Sequence, residues 1–267
     1  MRFPARLPRR FALRVASGLT IAFGSLIGCR TPQPATTHAT EHDAARAVAQ
    51  PAAVPSIPFV ERVTGGASPG DRLPLVVAMH GFGDTPEAYV GVFDGMPTRA
   101  RVVALRAFDS WNGGWSWFRP GLDPNGPEFA QTIESAAHRI ARALREIALA
   151  RPSCRAVVVT GFSQGAMLSY TLAALEPDIA ARFVPIAGRL GAAIAIDPRR
   201  GGDVRGMHGE ADPRVPIDDG RAAVARLTQS GRDARIETYP GVGHTISNEM
   251  RRDLFRLVAE VADRRCE

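Results

Sequence analysis

Residues Ala156 to Gly165 read Ala-Val-Val-Val-Thr-Gly-Phe-Ser-Gln-Gly, and this segment indicates the fold most directly. Residues 156–160 lack polar alternation, which is typical of a strand buried on both faces of a parallel sheet. The small residues around Ser163 then allow a tight strand-to-helix turn that exposes its hydroxyl, and the helix N-terminus behind it favours developing negative charge. The stretch therefore predicts a strand, a nucleophile at Ser163 and a helix. The alternative is a glycine-rich turn with an idle serine.

The rest of the chain alternates between strand and helix signals. Further continuous apolar runs predict buried strands at 73–80, 101–105, 183–187, 204–208 and 234–239. Apolar residues at helical spacing predict helices at 127–150, 166–175, 217–227 and 246–261. This alternation predicts an α/β fold, in which helices cover both faces of a mostly parallel central sheet. No internal repeat is found, so a single catalytic domain is expected over residues 59–267.

A base for Ser163 is expected downstream, because this architecture places its residues in the order serine, acid, histidine. Two histidines follow the serine. His208 ends a predicted strand and is expected to be structural, whereas His244 lies in the glycine-containing loop Gly241–Thr245. Glycines let such a loop bring an imidazole close to the serine, so His244 is the predicted base.

The acid that orients this base is predicted at Asp212, just past a strand end, where catalytic loops gather. Its rivals are the neighbouring acidic residues Asp197, Asp203, Glu210, Asp218 and Asp219. Asp218 and Asp219 are better placed to begin the next helix, and Glu210 is the nearest rival.

Two backbone N–H groups are candidates for binding the oxyanion that forms when a serine attacks a carbonyl. The first belongs to Gln164, directly after the nucleophile. The second lies in His80–Asp84, where Gly81 and Gly83 let the N–H of Phe82 face the site. A plain turn at this point is the alternative.

Four motifs together resemble one family. His80-Gly-Phe-Gly-Asp84, Gly161–Gly165, His208-Gly-Glu-Ala-Asp212 and Gly243-His244 are similar, in this order, to motifs of the phospholipase/carboxylesterase family of α/β hydrolases, which includes acyl-protein thioesterases. The resemblance covers residues 70–262 of the chain. It implies the α/β-hydrolase fold and a Ser-His-Asp hydrolase of carboxylic esters or thioesters that uses no cofactor and no metal. It also implies the catalytic and oxyanion-binding roles given above.

All three tryptophans fall within one stretch that follows the strand ending near Leu105. This position predicts a loop over the catalytic edge of the sheet. One interpretation is an apolar wall for the acyl or alcohol part of an ester, formed by Trp111, Trp115, Trp117 and Phe118. The other is that these side chains pack on one another and stabilise a long loop. The two interpretations carry equal weight at this stage, and both can hold.

The first 58 residues are expected to lie outside the catalytic domain. Residues 1–28 combine an arginine-rich start with a short apolar run, the layout of an export signal. The run ends in Leu26-Ile-Gly-Cys29, which resembles a lipoprotein box and predicts lipidation of Cys29. Proline-rich residues 29–58 predict a flexible tether. We therefore expect an exported protein, lipid-anchored in the periplasm or at the outer membrane. An uncleaved anchor and an ordinary cleaved signal are the alternatives.

The charge balance argues against a nucleic-acid partner. The net charge is +6, but five of the 33 cationic residues lie in the expected signal. The remaining chain carries 28 arginines against 27 acidic residues, which leaves +1, and its arginines are spread along the chain. The expected partners are instead a small-molecule or lipid ester and the membrane that the lipid anchor reaches.

The two other cysteines form a candidate disulfide. Cys154 precedes the strand that leads to Ser163, and Cys266 follows the last predicted helix. Both are therefore expected at the edge of the sheet opposite the serine. An even number of cysteines in an oxidising compartment predicts a disulfide between them, and two free thiols are the alternative.

Other activities remain open on the same residues. A peptidase or a polyester depolymerase on this fold would keep the serine, acid and base and change only the pocket. A non-catalytic surface lipoprotein on a hydrolase scaffold is a different class, and the complete set of catalytic residue types argues against it.

Overall fold

The computed structural model describes residues 56–266. Its strands are β1 Phe59–Val63, β2 Leu73–Met79, β3 Arg101–Leu105, β4 Asp109–Trp111, β5 Gly114–Ser116, β6 Ser153–Phe162, β7 Arg182–Ile186, β8 Asp203–Gly209 and β9 Ala234–Tyr239. Its helices are α1 Pro86–Tyr89, α2 Pro127–Ala150, α3 Gln164–Leu175, α4 Ile217–Gln229 and α5 Asn248–Arg265. A 3₁₀ turn at Val90–Phe93 continues α1.

Seven strands form one sheet in the order β1-β3-β2-β6-β7-β8-β9. Every neighbouring pair is parallel except β1 and β3, which run antiparallel at one edge. Strands β2 and β3 are buried along their whole length, as continuous apolar runs require. Helices α2, α3 and α4 pack on one face of the sheet, and α1 and α5 pack on the other. The predicted fold class is therefore confirmed.

The bounds of the predicted elements differ from the observed ones by at most four residues, the largest difference being at the end of α5. Strand β1, helix α1 and the two-stranded sheet of β4 and β5 were not predicted from the sequence. Strand β1 lies at the edge of the sheet, and Glu61 and Arg62 interrupt its apolar pattern. Edge strands need less apolar sequence than central ones, which explains this miss.

The tryptophan stretch is a hairpin, which corrects the loop predicted there. Strands β4 and β5 pair antiparallel, with Trp111 opposite Gly114. The two residues between them, Asn112 and Gly113, have φ values of +43° and +82°. Two successive positive φ values are what a two-residue type I′ turn requires, and Asn-Gly is its strongest sequence signal. The signal was present, but the three-residue strands are too short to show alternation.

The folded part begins slightly before the predicted boundary at residue 59. Ile57 is buried in the core, and the Ser56 N–H donates to the Glu146 carboxylate on α2 at 2.8 Å. Residues 56–58 therefore belong to the domain rather than to the tether. The predicted export signal, the lipidated Cys29 and the rest of the tether lie outside the described residues. None of the helices between residues 56 and 266 combines the length and the apolar character that a membrane span needs.

The edge where the parallel strands begin, here called the amino edge, is strongly cross-linked. A disulfide joins Cys154, the second residue of β6, to Cys266, just past α5, and their Cα atoms lie 5.4 Å apart. This separation is usual for a disulfide, and the pair is the one that the sequence analysis named. Arg182 at the start of β7 bonds to both carboxylate oxygens of Asp203, at 2.6 and 2.8 Å, and to Glu260 at 2.7 Å.

Candidate active site

Ser163 lies on the sharp turn between β6 and α3. Its φ and ψ are 54° and −113°, a conformation that non-glycine residues rarely adopt. The turn is tight because α3 begins against the end of β2, where a Cβ on Gly165 would lie 2.1 Å from the Met79 carbonyl oxygen. The Ser163 N–H donates to the Ile186 carbonyl on β7 at 3.0 Å. These contacts hold the serine at the edge where the parallel strands end, here called the carboxyl edge.

His244 reaches Ser163 from the loop after β9. A hydrogen bond of 3.0 Å, from the Ala211 N–H to the Val242 carbonyl, joins this loop to the loop after β8. The imidazole packs against the Phe162 ring with centroids 4.9 Å apart. Its Nε2 lies 2.9 Å from Ser163 Oγ. This is hydrogen-bond distance between a hydroxyl and the nitrogen that would accept its proton.

Asp212 contacts the other side of the same imidazole. Its Oδ2 lies 2.7 Å from His244 Nδ1, and its Oδ1 accepts the backbone N–H groups of Arg214 and Val215 at 2.8 and 2.9 Å. Burial alone would raise the pKa of this carboxyl, but these hydrogen bonds outweigh burial and hold the pKa below its ordinary value. The ionised carboxylate accepts a hydrogen bond from Nδ1–H, so the ring proton stays on Nδ1 and Nε2 is left unprotonated toward the serine.

The structure also places the other candidates for base and acid. His208 is buried, and its Nε2 donates to the Val215 carbonyl at 2.9 Å and lies 3.5 Å from Asp212 Oδ2. It therefore supports the loop that carries Asp212. Glu210 accepts from the Thr238 hydroxyl at 2.8 Å. The remaining rivals pair with arginines: Asp197 with Arg199, Asp203 with Arg182, Asp218 with Arg221 and Asp219 with Arg189.

The loop after β2 lies against the serine turn, since a Cβ on Gly81 would be 3.7 Å from the Cβ of Ser163. Gln164 is the first residue of α3, where a helix leaves its N–H groups without internal partners. In the part of the chain that the structure describes, neither the Gln164 nor the Phe82 N–H donates to a protein acceptor. Both predicted oxyanion donors are therefore available beside Ser163, one at the start of α3 and one in the loop after β2.

His80 braces this loop, a role that the sequence analysis missed. Its Nε2 accepts the Ala107 N–H at 3.3 Å, so the ring proton resides on Nδ1, which donates to the Gly81 carbonyl at 2.7 Å. The imidazole is therefore neutral. Burial lowers the pKa of His80, which favours this neutral form. This hydrogen bond joins the chain just past β3 to the loop His80–Asp84 through residues 27 positions apart, and no local sequence pattern marks such a contact.

Two of the four predicted pocket residues lie in the core. Trp117 is 2% exposed and stacks on His80 with ring centroids 5.3 Å apart. Phe118 is also buried and meets Phe129 edge-on at 5.6 Å. So little of either ring is open that a ligand cannot use them as a wall. The packing interpretation therefore applies to both, which corrects their assignment to the pocket.

The other two pocket residues lie nearer the surface. Trp115 is half-buried, with the Arg106 guanidinium 4.2 Å above its ring. Trp111 is 42% exposed, and its ring lies 5.1 Å from that of Phe82, which is itself 38% exposed. Trp111 and Phe82 therefore form an exposed aromatic pair at the carboxyl edge, and Trp111 fits the substrate-wall interpretation best.

The seven-stranded sheet, the serine turn after β6 and the loops after β8 and β9 have the arrangement of an α/β hydrolase. The sequence pattern of the phospholipase/carboxylesterase family matches residues 66–260. The chain therefore belongs to this family of carboxylic ester hydrolases, and the family that its motifs predict is confirmed.

Individual relatives are more distant. The chain is 25% identical to esterase YpfH of Escherichia coli K12 over 189 residues. That alignment covers 65% of this chain and 77% of the esterase. The chain is 30% identical over 99 residues to a probable carboxylesterase, SOBER1-like, of Arabidopsis thaliana, spanning 35% of this chain and only 37% of that relative. Two solved structures support the fold. Esterase PE8 has a TM-score of 0.65 at 22% identity, covering 76% of this chain and 99% of its own. Zea mays acyl-protein thioesterase 2 has a TM-score of 0.59 at 18% identity, with the same coverage.

Proposed function

We propose that the protein hydrolyses carboxylic esters through Ser163, His244 and Asp212, with an acyl-enzyme intermediate. The observation that carries this proposal is the position of the His244 imidazole, 2.9 Å from the serine Oγ and 2.7 Å from the aspartate Oδ2. Family membership supports an ester as the substrate. Thioesters are included, because they react by the same acyl transfer.

The reaction proceeds in two steps. His244 accepts the Ser163 proton as Oγ attacks the carbonyl carbon, and the N–H groups of Phe82 and Gln164 bind the resulting oxyanion. His244 then protonates the leaving alcohol or thiol, and the acyl group stays on the serine. Water, deprotonated by His244, attacks the acyl-enzyme, and His244 returns that proton to Ser163 Oγ as the acyl–oxygen bond breaks and the acid leaves. Asp212 keeps the imidazole oriented and stabilises its charged form.

The apolar part of the substrate is placed at the exposed aromatic pair. Phe82 lies in the loop after β2, and Trp111 is the last residue of β4, next to the turn of the hairpin. Their ring centroids are 5.1 Å apart. Both expose more than a third of their surface, which is unusual for such large apolar side chains. Contact with an acyl or alcohol chain would remove this surface from water and favour the longer or aromatic esters.

A substrate panel tests the proposal. It contains p-nitrophenyl esters of increasing chain length, a thioester, a peptide anilide and a polyester film, with fluorophosphonate labelling alongside. We expect turnover of the esters and covalent labelling at Ser163. Turnover of only the anilide or only the film would support the peptidase or depolymerase instead. A protein that neither labels nor hydrolyses any member would support the non-catalytic lipoprotein.

We also propose that Cys29 carries lipid and that the chain after it tethers the domain to the periplasmic side of a membrane. Support comes from the sequence, in which an arginine-rich start and an apolar run precede Leu26-Ile-Gly-Cys29. Expression of the full chain in a Gram-negative host tests this. We expect the protein in the membrane fraction, and Cys29→Ser to block processing or release the protein. A soluble periplasmic product from the unmutated gene would contradict the proposal.

A further inference from the structure

One short segment, Trp115–Phe118, contacts both parts of the chain that carry the proposed oxyanion donors: the start of α3 and the loop after β2. It comprises the end of β5 and the two residues after it. On one side it bonds to the side chain of Gln164, and on the other to the loop His80–Asp84. The two donor N–H groups belong to separate parts of the chain, so this segment is a physical link between them.

The side-chain amide of Gln164 is bonded at both ends. Its Oε1 accepts the Trp117 N–H at 3.1 Å and lies 3.3 Å from the Ser116 hydroxyl, which donates its one proton to the Phe118 carbonyl at 2.7 Å. Its Nε2 donates to the Phe118 carbonyl at 3.0 Å. The side chain is buried, where water competes little for these bonds. These two bonds, one at each end of the amide, fix its orientation and so restrain the residue at which α3 begins.

The same segment is bonded to the loop after β2. Trp115 exchanges two backbone hydrogen bonds with Gly83–Asp84, each 2.9 Å long. The approach is close, since a Cβ on Gly114 would lie 2.1 Å from the Gly83 carbonyl oxygen. The Trp117 indole N–H donates to the His80 carbonyl at 2.8 Å. These contacts hold the loop on both sides of Phe82.

We propose that Gln164 is a positioning residue. Its side chain sets the spacing of the two oxyanion donors through its contacts with the segment Trp115–Phe118. The inference rests on the proposed function, because it assumes that the N–H groups of Phe82 and Gln164 bind the oxyanion. An oxyanion hole works only when both donors lie within hydrogen-bond distance of the forming charge. A misplacement of about 1 Å in such a site lowers the rate about 100-fold.

Gln164→Ala separates the two roles of this residue, because it keeps the backbone N–H and removes only the amide. We expect kcat to fall about 100-fold while KM stays within about twofold, since an oxyanion exists only in the transition state. Inhibition by a trifluoromethyl ketone, whose hemiketal oxygen binds the same donors once Ser163 has added to it, should weaken by a similar factor.

Thr160→Val is the matched control. It removes another buried side-chain hydrogen bond, from Thr160 Oγ1 to the Val184 carbonyl at 2.7 Å, on the strand below the serine. We expect a lower Tm but unchanged kcat and inhibitor affinity. End-point labelling with a fluorophosphonate counts the folded sites in each preparation, so kcat is expressed per folded site.

Gln164→Glu is a second variant that preserves size if the alanine variant fails to fold. Its ionised carboxylate keeps the acceptor toward Trp117 but turns a second oxygen toward the Phe118 carbonyl. Protonation restores a donor there, and burial raises the pKa of such a carboxyl. The ratio of variant to wild-type kcat should therefore rise as the pH falls from about 8 to about 5.

The outcomes are distinct. Wild-type kcat per folded site in Gln164→Ala, a loss that Thr160→Val reproduces, or a Gln164→Glu ratio that does not change with pH would each overturn the positioning role. A wild-type protein that is neither active nor labelled would overturn the proposed function instead.

Discussion

The two edges of the central sheet are held by different kinds of bond. At the carboxyl edge, the bonds that hold the two proposed oxyanion donors are neutral: the Gln164 amide donates to a backbone carbonyl, and so does the Trp117 indole. At the amino edge the bonds are covalent and ionic. The disulfide Cys154–Cys266 lies there, and the buried Arg182 pairs with Asp203 and Glu260.

Because of this difference, kcat and the free energy of unfolding are expected to depend on opposite edges of the sheet. Ser163 and Ala187, which follow β6 and β7, both have positive φ values, 54° and 56°. Such strain persists only when the surrounding structure fixes it, and directional neutral hydrogen bonds do so while leaving the oxyanion donors available. The amino edge holds none of the proposed catalytic residues. We therefore expect changes at the carboxyl edge to affect mainly kcat, and changes at the amino edge to affect mainly the free energy of unfolding.

The largest effect is expected from Ser163→Ala. Removing the nucleophile should lower kcat about 10⁴- to 10⁶-fold, because only the oxyanion donors and substrate binding remain. The free energy of unfolding should change by less than about 1 kcal/mol, since the substitution removes one hydroxyl. Ester turnover and urea denaturation measure the two quantities. Turnover that survived within about tenfold would show that Ser163 is not the nucleophile.

Asp212→Asn should follow, with a loss of about 10⁴-fold in kcat, because an amide in place of the carboxylate favours the wrong tautomer of His244. The variant also has a pH signature. The pKa of Asp212 is below its ordinary value in the folded protein. Its contribution to stability is therefore complete above about pH 4, the ordinary value, and is lost as the pH falls through the lower folded pKa.

Denaturation series at decreasing pH measure this signature. Wild type should lose stability more steeply than Asp212→Asn below about pH 4, because the amide does not titrate. Parallel curves for the two proteins would show that the carboxylate is not held ionised by the bonds that surround it.

At the amino edge, the double variant Cys154→Ser, Cys266→Ser should lower the free energy of unfolding by about 2–5 kcal/mol. The disulfide closes a loop across a separation of 112 residues, so its loss frees much of the unfolded chain. The kcat should stay within about twofold of wild type, as no atom at the carboxyl edge is changed. Thiol titration of unfolded, non-reduced wild type should find neither cysteine reactive, and two reactive thiols from these positions would contradict the disulfide.

The sequence predicted the parts of the molecule that have a local pattern. Buried parallel strands are continuous apolar runs, and α2 shows its helical period over Pro127–Ala150, which matches the structure at both ends. The serine turn is equally local, because strand, glycine and serine are adjacent in Ala156–Gly165. His244 and Asp212 could be named because chain order and strand ends restrict the choice, and the structure places them together.

The parts that could not be predicted depend on long-range contacts. The Gln164 amide bonds to the residues 46 and 47 positions earlier, and nothing around Gln164 marks those partners. Trp111 and Trp117 belong to the same aromatic stretch, yet one is exposed and the other is buried. Trp111 is the last residue of β4, whereas Trp117 lies just past β5, where its indole N–H donates to the distant His80 carbonyl. The hairpin strands are too short for the sequence pattern to reveal which face each side chain takes.

The smallest effect is expected when one exposed apolar side chain at each edge is replaced by alanine. Trp111 is 42% exposed beside Phe82 at the carboxyl edge, and Leu149 is 89% exposed near the end of α2 at the amino edge. Trp111→Ala should lower kcat/KM for long or aromatic esters about tenfold relative to short ones, because an apolar contact of this kind contributes about 1–3 kcal/mol. Leu149→Ala should leave that ratio unchanged.

Both substitutions should alter the free energy of unfolding by less than about 0.5 kcal/mol, as neither side chain is packed in the core. The measurement is therefore the ratio of kcat/KM values across the ester series, with Tm as the second reading. A uniform loss over all chain lengths, together with a lower Tm, would mean that Trp111 stabilises the hairpin, as Trp117 does, and contacts no substrate. An equal change of ratio in Leu149→Ala would mean that chain-length preference is set elsewhere, and that exposure at the carboxyl edge carries no information about the substrate.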